Sequence, residues 1–253
     1  MATQSLTGKV AVVTGSSRSI GAAIAKALGA EGADVVVNYV NDAKAAKEVV
    51  DSIESEKKGK AIAIKADVST VEGGKSLIDA VVQEWGRIDI LVLNAGIMGS
   101  KVMADVDEQF FDSHFQTNVK APFFTVQHAI PHITAPGGRL IFFSSSLTAS
   151  TTVLPNALCY VASKGAVEQM SRVLAKDLGS RGITVNTVSP GPVDTPLFRA
   201  GKPEAVIEMI KKQNPNQRLA VPNDIAPIVA FVASPGAQWL TGQNIRPNGG
   251  FVV

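Results

Sequence analysis

The stretch "VAVVTGSSRSIGAAIAKAL", residues 10–28, decides the fold. Its opening apolar run reads as a strand covered on both faces. Further on, Ile20, Ile24 and Leu28 fall on one helical stripe. Between the two lies a short turn of Gly15, Ser16, Ser17, Arg18, Ser19, Ile20 and Gly21. A strand that feeds a helix through small residues exposes unpaired N–H groups at the helix N-terminus. The pyrophosphate of a dinucleotide can sit there. A tight strand–helix turn wants glycine for its own geometry, so the loop alone is weak evidence. Its place after the first strand adds weight.

Working outward, short Val- and Ile-rich runs alternate with amphipathic stretches. The runs are 10–15, 34–39, 61–68, 88–96, 139–146, 183–191 and 241–250. The helix-period stretches between them are 20–31, 43–57, 72–85, 107–131, 156–180 and 223–233. This alternation predicts an α/β fold: a doubly wound, Rossmann-like parallel sheet of about seven strands with helices on both faces. No linker or composition break divides the chain, so residues 1–253 are expected to form one domain. Residues 192–222 carry Pro192, Pro196, Pro203, Pro215 and Pro222. A long Pro-punctuated insert after a strand end is a candidate lid over a binding site.

Bulk composition narrows the partners. Net charge is +2, with no run of Lys or Arg to mark a nucleic-acid or membrane footprint. The single cysteine, Cys159, excludes an internal disulfide and fits a reducing compartment. The N-terminal "MATQSLTGKVAVVTG" does not read as a signal peptide, and no apolar run approaches the length of a membrane span. A cytoplasmic protein is expected. The three histidines, His114, His128 and His132, lack the partners of a metal site, and no metal is expected. A serine-hydrolase elbow is absent around "FSSSL".

A second stretch, "PNALCYVASKGAVEQM" at 155–170, places Tyr160 four residues before Lys164. Residues four apart on a helix are neighbours. A lone Tyr-x-x-x-Lys pair is usually structural. Here it follows a strand ending in Ser144-Ser145-Ser146, with Asn118 upstream in "FQTNVKAPFF" and "SPGPVDTP" downstream. Carbonyl reduction leaves negative charge on oxygen, which needs a proton from a donor whose pKa lies near the working pH. A free phenol titrates near about 10, and a neighbouring ammonium favours its ionised form. Lys164 is therefore expected to make Tyr160 a better acid.

Taken together, these motifs resemble the short-chain dehydrogenase/reductase family, from about residue 7 to the final "NGG". Thr14, Gly15 and Gly21 match its T-G-x-x-x-G-x-G pattern, with Ser19 in place of the middle glycine. "LVLNAG" resembles its N-N-A-G, with Leu93 replacing the first asparagine. The resemblance implies a catalytic set of Asn118, Ser145, Tyr160 and Lys164, in which Ser146 rivals Ser145. Asn118 would bend its helix and anchor a water, and Ser144 would face the interior. It also implies a nicotinamide dinucleotide held by Gly15, Ser17, Arg18, Ser19, Ile20, Gly21, Asn38, Tyr39, Asp67, Val68, Asn94, Ala95, Gly96, Tyr160, Lys164, Pro190, Gly191, Val193 and Thr195.

The second strand ends in Asn38-Tyr39-Val40 and lacks the acid that would bind ribose hydroxyls, while Arg18 can meet a 2′-phosphate. NADP(H) is favoured over NAD, with Asp42 close by on the other side of the balance. The expected partner is a small carbonyl or alcohol under an apolar roof of Val153, Leu154, Leu197, Phe198 and Met209. The resemblance further implies a homotetramer through the long helical stretches near 107–131 and 156–180. Two alternatives stay open at this point: an NAD-linked alcohol dehydrogenase and a non-catalytic dinucleotide sensor.

Overall fold

A computed structural model describes residues 5–253; the first four residues of the N-terminal reading lie outside it. Seven strands form one sheet: β1 (Val10–Val13), β2 (Asp34–Tyr39), β3 (Ala61–Lys65), β4 (Ile90–Leu93), β5 (Arg139–Phe143), β6 (Thr184–Val188) and β7 (Asn244–Ile245). Their order is β3-β2-β1-β4-β5-β6-β7, and every pairing is parallel. The expected doubly wound α/β architecture is present as a single domain.

The central strands β1 and β4 are apolar along their whole length because both faces are covered. In β2, Val35 and Val37 pack into one core while Val36 packs into the other, the two-residue alternation of a pleated strand. One core lies under α1 (Ser19–Ala30), α2 (Ala43–Ser55) and α9 (Pro222–Ala233). The other lies under α3 (Val71–Trp85), α5 (Ala121–Ala129) and α6 (Leu158–Leu178). The remaining helices are α4 (Glu108–Phe115), α7 (Pro196–Arg199) and α8 (Glu204–Gln213). α4 and α5 are joined by a π-helical turn, Gln116–Lys120.

The expected helix at 107–131 is thus interrupted where Asn118 sits. The expected Pro-rich insert contains two helices of its own, α7 and α8. Among the described residues, no helix is long and apolar enough to cross a membrane. From β1 the chain winds outward to β3, then returns to start β4 on β1's other side. That reversal opens a crevice beyond the carboxyl ends of β1 and β4, the place where open α/β sheets bind ligands.

Candidate active site

The β1–α1 turn is held by buried polar atoms. Asn38, fully buried in β2, accepts from the Gly15 N–H (2.9 Å) and donates to the carbonyls of Ile64 (3.3 Å) and Ala66 (3.0 Å). Its own N–H donates to Ser16 Oγ (2.9 Å), which donates to the Val13 carbonyl (2.6 Å). Asn38, expected at the cofactor, is therefore spent on the scaffold of the loop. The Asn94 side chain is spent likewise, donating to the carbonyls of Thr14 (2.9 Å) and Gly15 (3.2 Å).

Gly21 has no room for a side chain. An added Cβ would stand 2.4 Å from the Gly15 carbonyl oxygen and 2.7 Å from Asn94 Nδ2. Gly15 takes φ +62°, and Ser19 takes φ +52°. The serine that replaces a glycine keeps the glycine's left-handed backbone. Leu93, the other departure, is buried in the core and leaves the turn undisturbed. Arg18 is exposed beside the turn, and Ser17, Ile20 and Tyr39 are half-buried around it. Asp42 caps α2, one carboxylate oxygen accepting from the Ala45 N–H (2.9 Å). Exposed Asp67 accepts from the N–H and hydroxyl of Ser69, beside buried Val68.

The reacting centre assembles from four segments. The Ser145 hydroxyl comes near the phenol of Tyr160, which is half-buried on α6. The Ser146 hydroxyl turns away and donates to the Ser189 carbonyl (3.2 Å). Of the two rivals, only Ser145 meets the tyrosine. Ser144 faces inward, as expected, onto polar partners: the Lys164 carbonyl (3.2 Å) and Glu168 Oε1 (2.7 Å).

Buried Lys164 donates from Nζ to the Phe143 carbonyl (2.9 Å), with Nζ 5.9 Å from the Tyr160 ring centroid. Asn118 is locked to Ile97 both ways: its Nδ2 donates to the Ile97 carbonyl (3.0 Å) and its Oδ1 accepts from the Ile97 N–H (2.9 Å). Gly96 lies between them, since a Cβ there would stand 3.1 Å from Asn118 Oδ1 and 3.3 Å from Lys164 Nζ. Sequence reasoning missed Ser163, which accepts from Asn118 Nδ2 (3.0 Å) and donates to the Tyr160 carbonyl (2.7 Å). A small hydroxyl three residues after Tyr160 was its only signal.

Electrostatics departs from one expectation. Burial pushes the Tyr160 phenol above its usual range, and the Ser145 hydrogen bond pulls it part of the way back. Lys164 contributes no resolved lowering. Burial instead draws its own ammonium down to about 8. Loss of hydration disfavours the charged form of each group and sets the direction of both shifts.

Beyond β6, buried Pro190 leads to Gly191, where a Cβ would stand 2.9 Å from Asn248 Cβ. Buried Val193 bridges to Ala220, and Thr195 caps α7 by accepting from the Phe198 N–H (3.2 Å). The base of the insert is thereby closed on itself. No His/Cys/Asp/Glu cluster suited to a metal occurs among the described residues.

A doubly wound sheet with a glycine-cornered turn at its switch point and a Tyr–Ser–Lys–Asn group beyond the strand ends defines a dinucleotide-linked oxidoreductase. A family profile described as enoyl-(acyl carrier protein) reductase matches residues 15–252. The hydroxynaphthalene reductase-like protein Arp2 of Metarhizium majus is 42% identical over 99% of this chain and 97% of its own. Versicolorin reductase stcU of Emericella nidulans is 41% identical over 97% and 96%. Two solved structures match as closely in shape. A short chain dehydrogenase from Burkholderia cenocepacia in complex with NADP has a TM-score of 0.91 at 38% identity, covering 98% of this chain and 99% of that one. The angucycline C-6 ketoreductase LanV with bound NADP has 0.89 at 41%, covering 97% and 96%. This chain belongs to the short-chain dehydrogenase/reductase family and is an oxidoreductase of that family.

Proposed function

We propose that this protein is an NADPH-dependent ketoreductase of hydrophobic carbonyl compounds, aromatic or polyketide-like, reversible as an alcohol dehydrogenase. The observation that carries it is the convergence of Tyr160, Ser145, Lys164 and Asn118 beside Gly96 at the carboxyl ends of β4 and β5. The names of the relatives support the same substrate class: a hydroxynaphthalene reductase-like protein, a versicolorin reductase and an angucycline ketoreductase.

The chain's own groups fit a dinucleotide. Gly15, Gly21, Gly96 and Gly191 let the segments around the crevice pack closer than any side chain would allow, and Ser17, Ser19 and Ile20 would present the first turn of α1 to a pyrophosphate. Ala95, Val68 and Asp67 would border the adenine, and Pro190, Val193 and Thr195 the nicotinamide. Among the described residues Arg18 makes no ion pair, Asn38 at the end of β2 is not a carboxylate, and Asp42 faces the α2 cap, so a 2′-phosphate would meet a cation at the turn. NADPH, when bound, supplies the hydride.

The chain supplies the rest. Ser145 Oγ orients the carbonyl oxygen and stabilises charge as it develops there. Tyr160 Oη gives that oxygen its proton. Lys164 carries charge below about pH 8 and stabilises the phenolate left behind. Asn118, fixed on the π-helical turn, sets the distance between the β4 loop and α6.

Exposed Val153, Leu154, Leu197 and Met209 with half-buried Phe198 would form a roof suited to an apolar ring system. Residues 192–222 act as the lid. Exposed Phe111 and Phe123 and a groove of about 790 Å³ along α4, lined by Phe115 and Val119, suit this helix face to a homotetramer interface. A cytoplasmic location fits the single free cysteine.

NADPH absorbance followed against bicyclic and tricyclic aromatic ketones tests the reading. Tyr160→Phe is expected to lower kcat at least about 1000-fold and leave NADPH affinity within about threefold, since only proton donation is removed. Normal turnover by the Phe variant would remove Tyr160 from the mechanism.

A further inference from the structure

We propose that Glu168 is a positioning residue of the reacting centre, holding Ser145 in place through the hydroxyls on either side of it. The inference rests on the role proposed above for Ser145. Glu168 lies on α6 one turn beyond Lys164 and two beyond Tyr160, so a single helix presents phenol, ammonium and carboxylate at successive turns.

Its Oε1 is the meeting point of three segments that are distant in sequence. Ser144 Oγ, from the end of β5, donates to it at 2.7 Å, and Thr148 Oγ1, from the one-turn helix after β5, donates at 2.6 Å. Ser189 Oγ, from the end of β6, lies at 3.5 Å. The two short distances are those of hydroxyls donating to a charged carboxylate.

A hydroxyl has one proton, and both Ser144 and Thr148 have a second acceptor in reach: the Lys164 carbonyl at 3.2 Å and the Ser145 carbonyl at 2.8 Å. Glu168 offers the shorter contact each time and takes the proton. At Ser189 the nearest atom is Asn244 Oδ1 (2.6 Å), while Asn244 Nδ2 is buried with no partner. Turning that amide over would let its Nδ2 donate to Ser189 Oγ and free the Ser189 proton for Glu168.

The consequence falls on the residue between the two hydroxyls. Ser145 is the one link between Ser144 and the helical turn Ser146–Ala149 that carries Thr148. With both neighbours tied to one carboxylate, the backbone at Ser145 is extended (φ −152°, ψ 142°) and its hydroxyl meets Tyr160. Without Glu168, each neighbour falls back on a weaker carbonyl contact and the catalytic hydroxyl loses its fixed aim. Glu168 itself touches no reacting atom. Displacing a preorganised donor costs part of what deleting it costs.

A double-mutant cycle decides the matter. Glu168→Ala is expected to lower kcat about 10- to 100-fold, with NADPH affinity within about threefold of the parent, because the contacts it removes lie behind the serine. In a Ser145→Ala background the same substitution is expected to cost less than about twofold, since the group it positions is gone. Thr148→Val removes one hydroxyl and leaves the carboxylate intact. It is expected to cost about 3- to 10-fold and, again, to add nothing to Ser145→Ala. It also keeps the test open should Glu168→Ala fold poorly.

Losses that multiply in the Ser145→Ala background would overturn the proposal and make Glu168 a general support of the fold. An unimpaired Glu168→Ala enzyme would overturn it too. If Ser145→Ala alone cost nothing, the proposed role of Ser145 would fall first, a result distinguishable from either of these.

Discussion

The base of the β1–α1 turn is pinned: Asn38, Ser16 and Asn94 tie the loop to three strands, and Gly21 fits with no space to spare. Across the crevice, the proposed lid of residues 192–222 is tied at its roots and, through Asn214 and Asn216, to the carbonyls of Asn248 and Gly249. The Val193–Ala220 bridge closes its base, and the pairs Arg199–Asp194 and Arg218–Asp224 brace its two ends. Its apolar side chains, Leu197 and Met209, are about half exposed. A surface that recognises the constant part of a ligand gains from being preorganised. A surface that covers its variable part gains from being able to repack. Substitutions in the floor should therefore act on folding and cofactor affinity, and substitutions in the lid on substrate selection.

The harshest test of the floor is Gly21→Val. The new Cβ would meet a backbone oxygen at 2.4 Å, and neither partner can rotate away. Relieving such a clash costs about 1–3 kcal/mol, and where the shift is taken up by the turn itself it weakens NADPH about 10- to 100-fold. Fluorescence titration of NADPH with thermal denaturation of the same variant measures both. An unchanged affinity would mean that the turn is not the binding surface.

The second test uses Lys164, buried in the same floor. Its ammonium is held down to about 8, so it is charged below that pH and neutral above it. The kcat/KM for NADPH in the reducing direction reports the free enzyme. It should be level below about pH 8 and fall toward tenfold per unit above it, as the charge that stabilises the phenolate is lost. A profile flat from about pH 7 to about pH 9 would sever Lys164 from the rate.

Much of this floor was legible in the sequence, and its misreadings have a common cause. Periodicity located every strand and the helices against the two cores, because burial on both faces demands continuous apolar runs. The catalytic-like group was found because i and i+4 spacing on α6 is a local property. Asn38 was read as a ligand because a polar residue at a strand end looks available. Only the packing reveals that three backbone groups use up its amide. Glu168 was passed over for the converse reason, since an acid on a long helix looks solvated and its three hydroxyl neighbours come from positions 20 to 24 residues away in the chain. The i, i+4 spacing of Tyr160 and Lys164 predicts a lowered phenol pKa, and burial reverses that direction because the desolvation around the ring is set by the packing.

On the lid side, the paired change Leu197→Ser and Met209→Ser should leave stability within about 0.5 kcal/mol, as surface substitutions do. It should raise KM for an aromatic ketone about 3- to 10-fold through apolar area no longer covered on binding. The NADPH KM should stay put. A matching loss of cofactor affinity would erase the division between floor and lid.

The smallest effect sharpens the comparison most, because it asks whether the floor has any strain left to relieve. Ser19 stands at φ +52° without glycine's freedom. A side chain in the left-handed region costs roughly 1–2 kcal/mol, while glycine gives back part of that through the extra entropy of its unfolded chain. Ser19→Gly should then gain up to about 1 kcal/mol, a rise in Tm of about 2–4 °C for a chain of this size. Affinity for NADPH should not fall, since the backbone the turn presents is the one glycine adopts unaided. If the variant melted earlier, the serine would be contributing more than shape, and its hydroxyl would have to be counted among the groups that hold the turn.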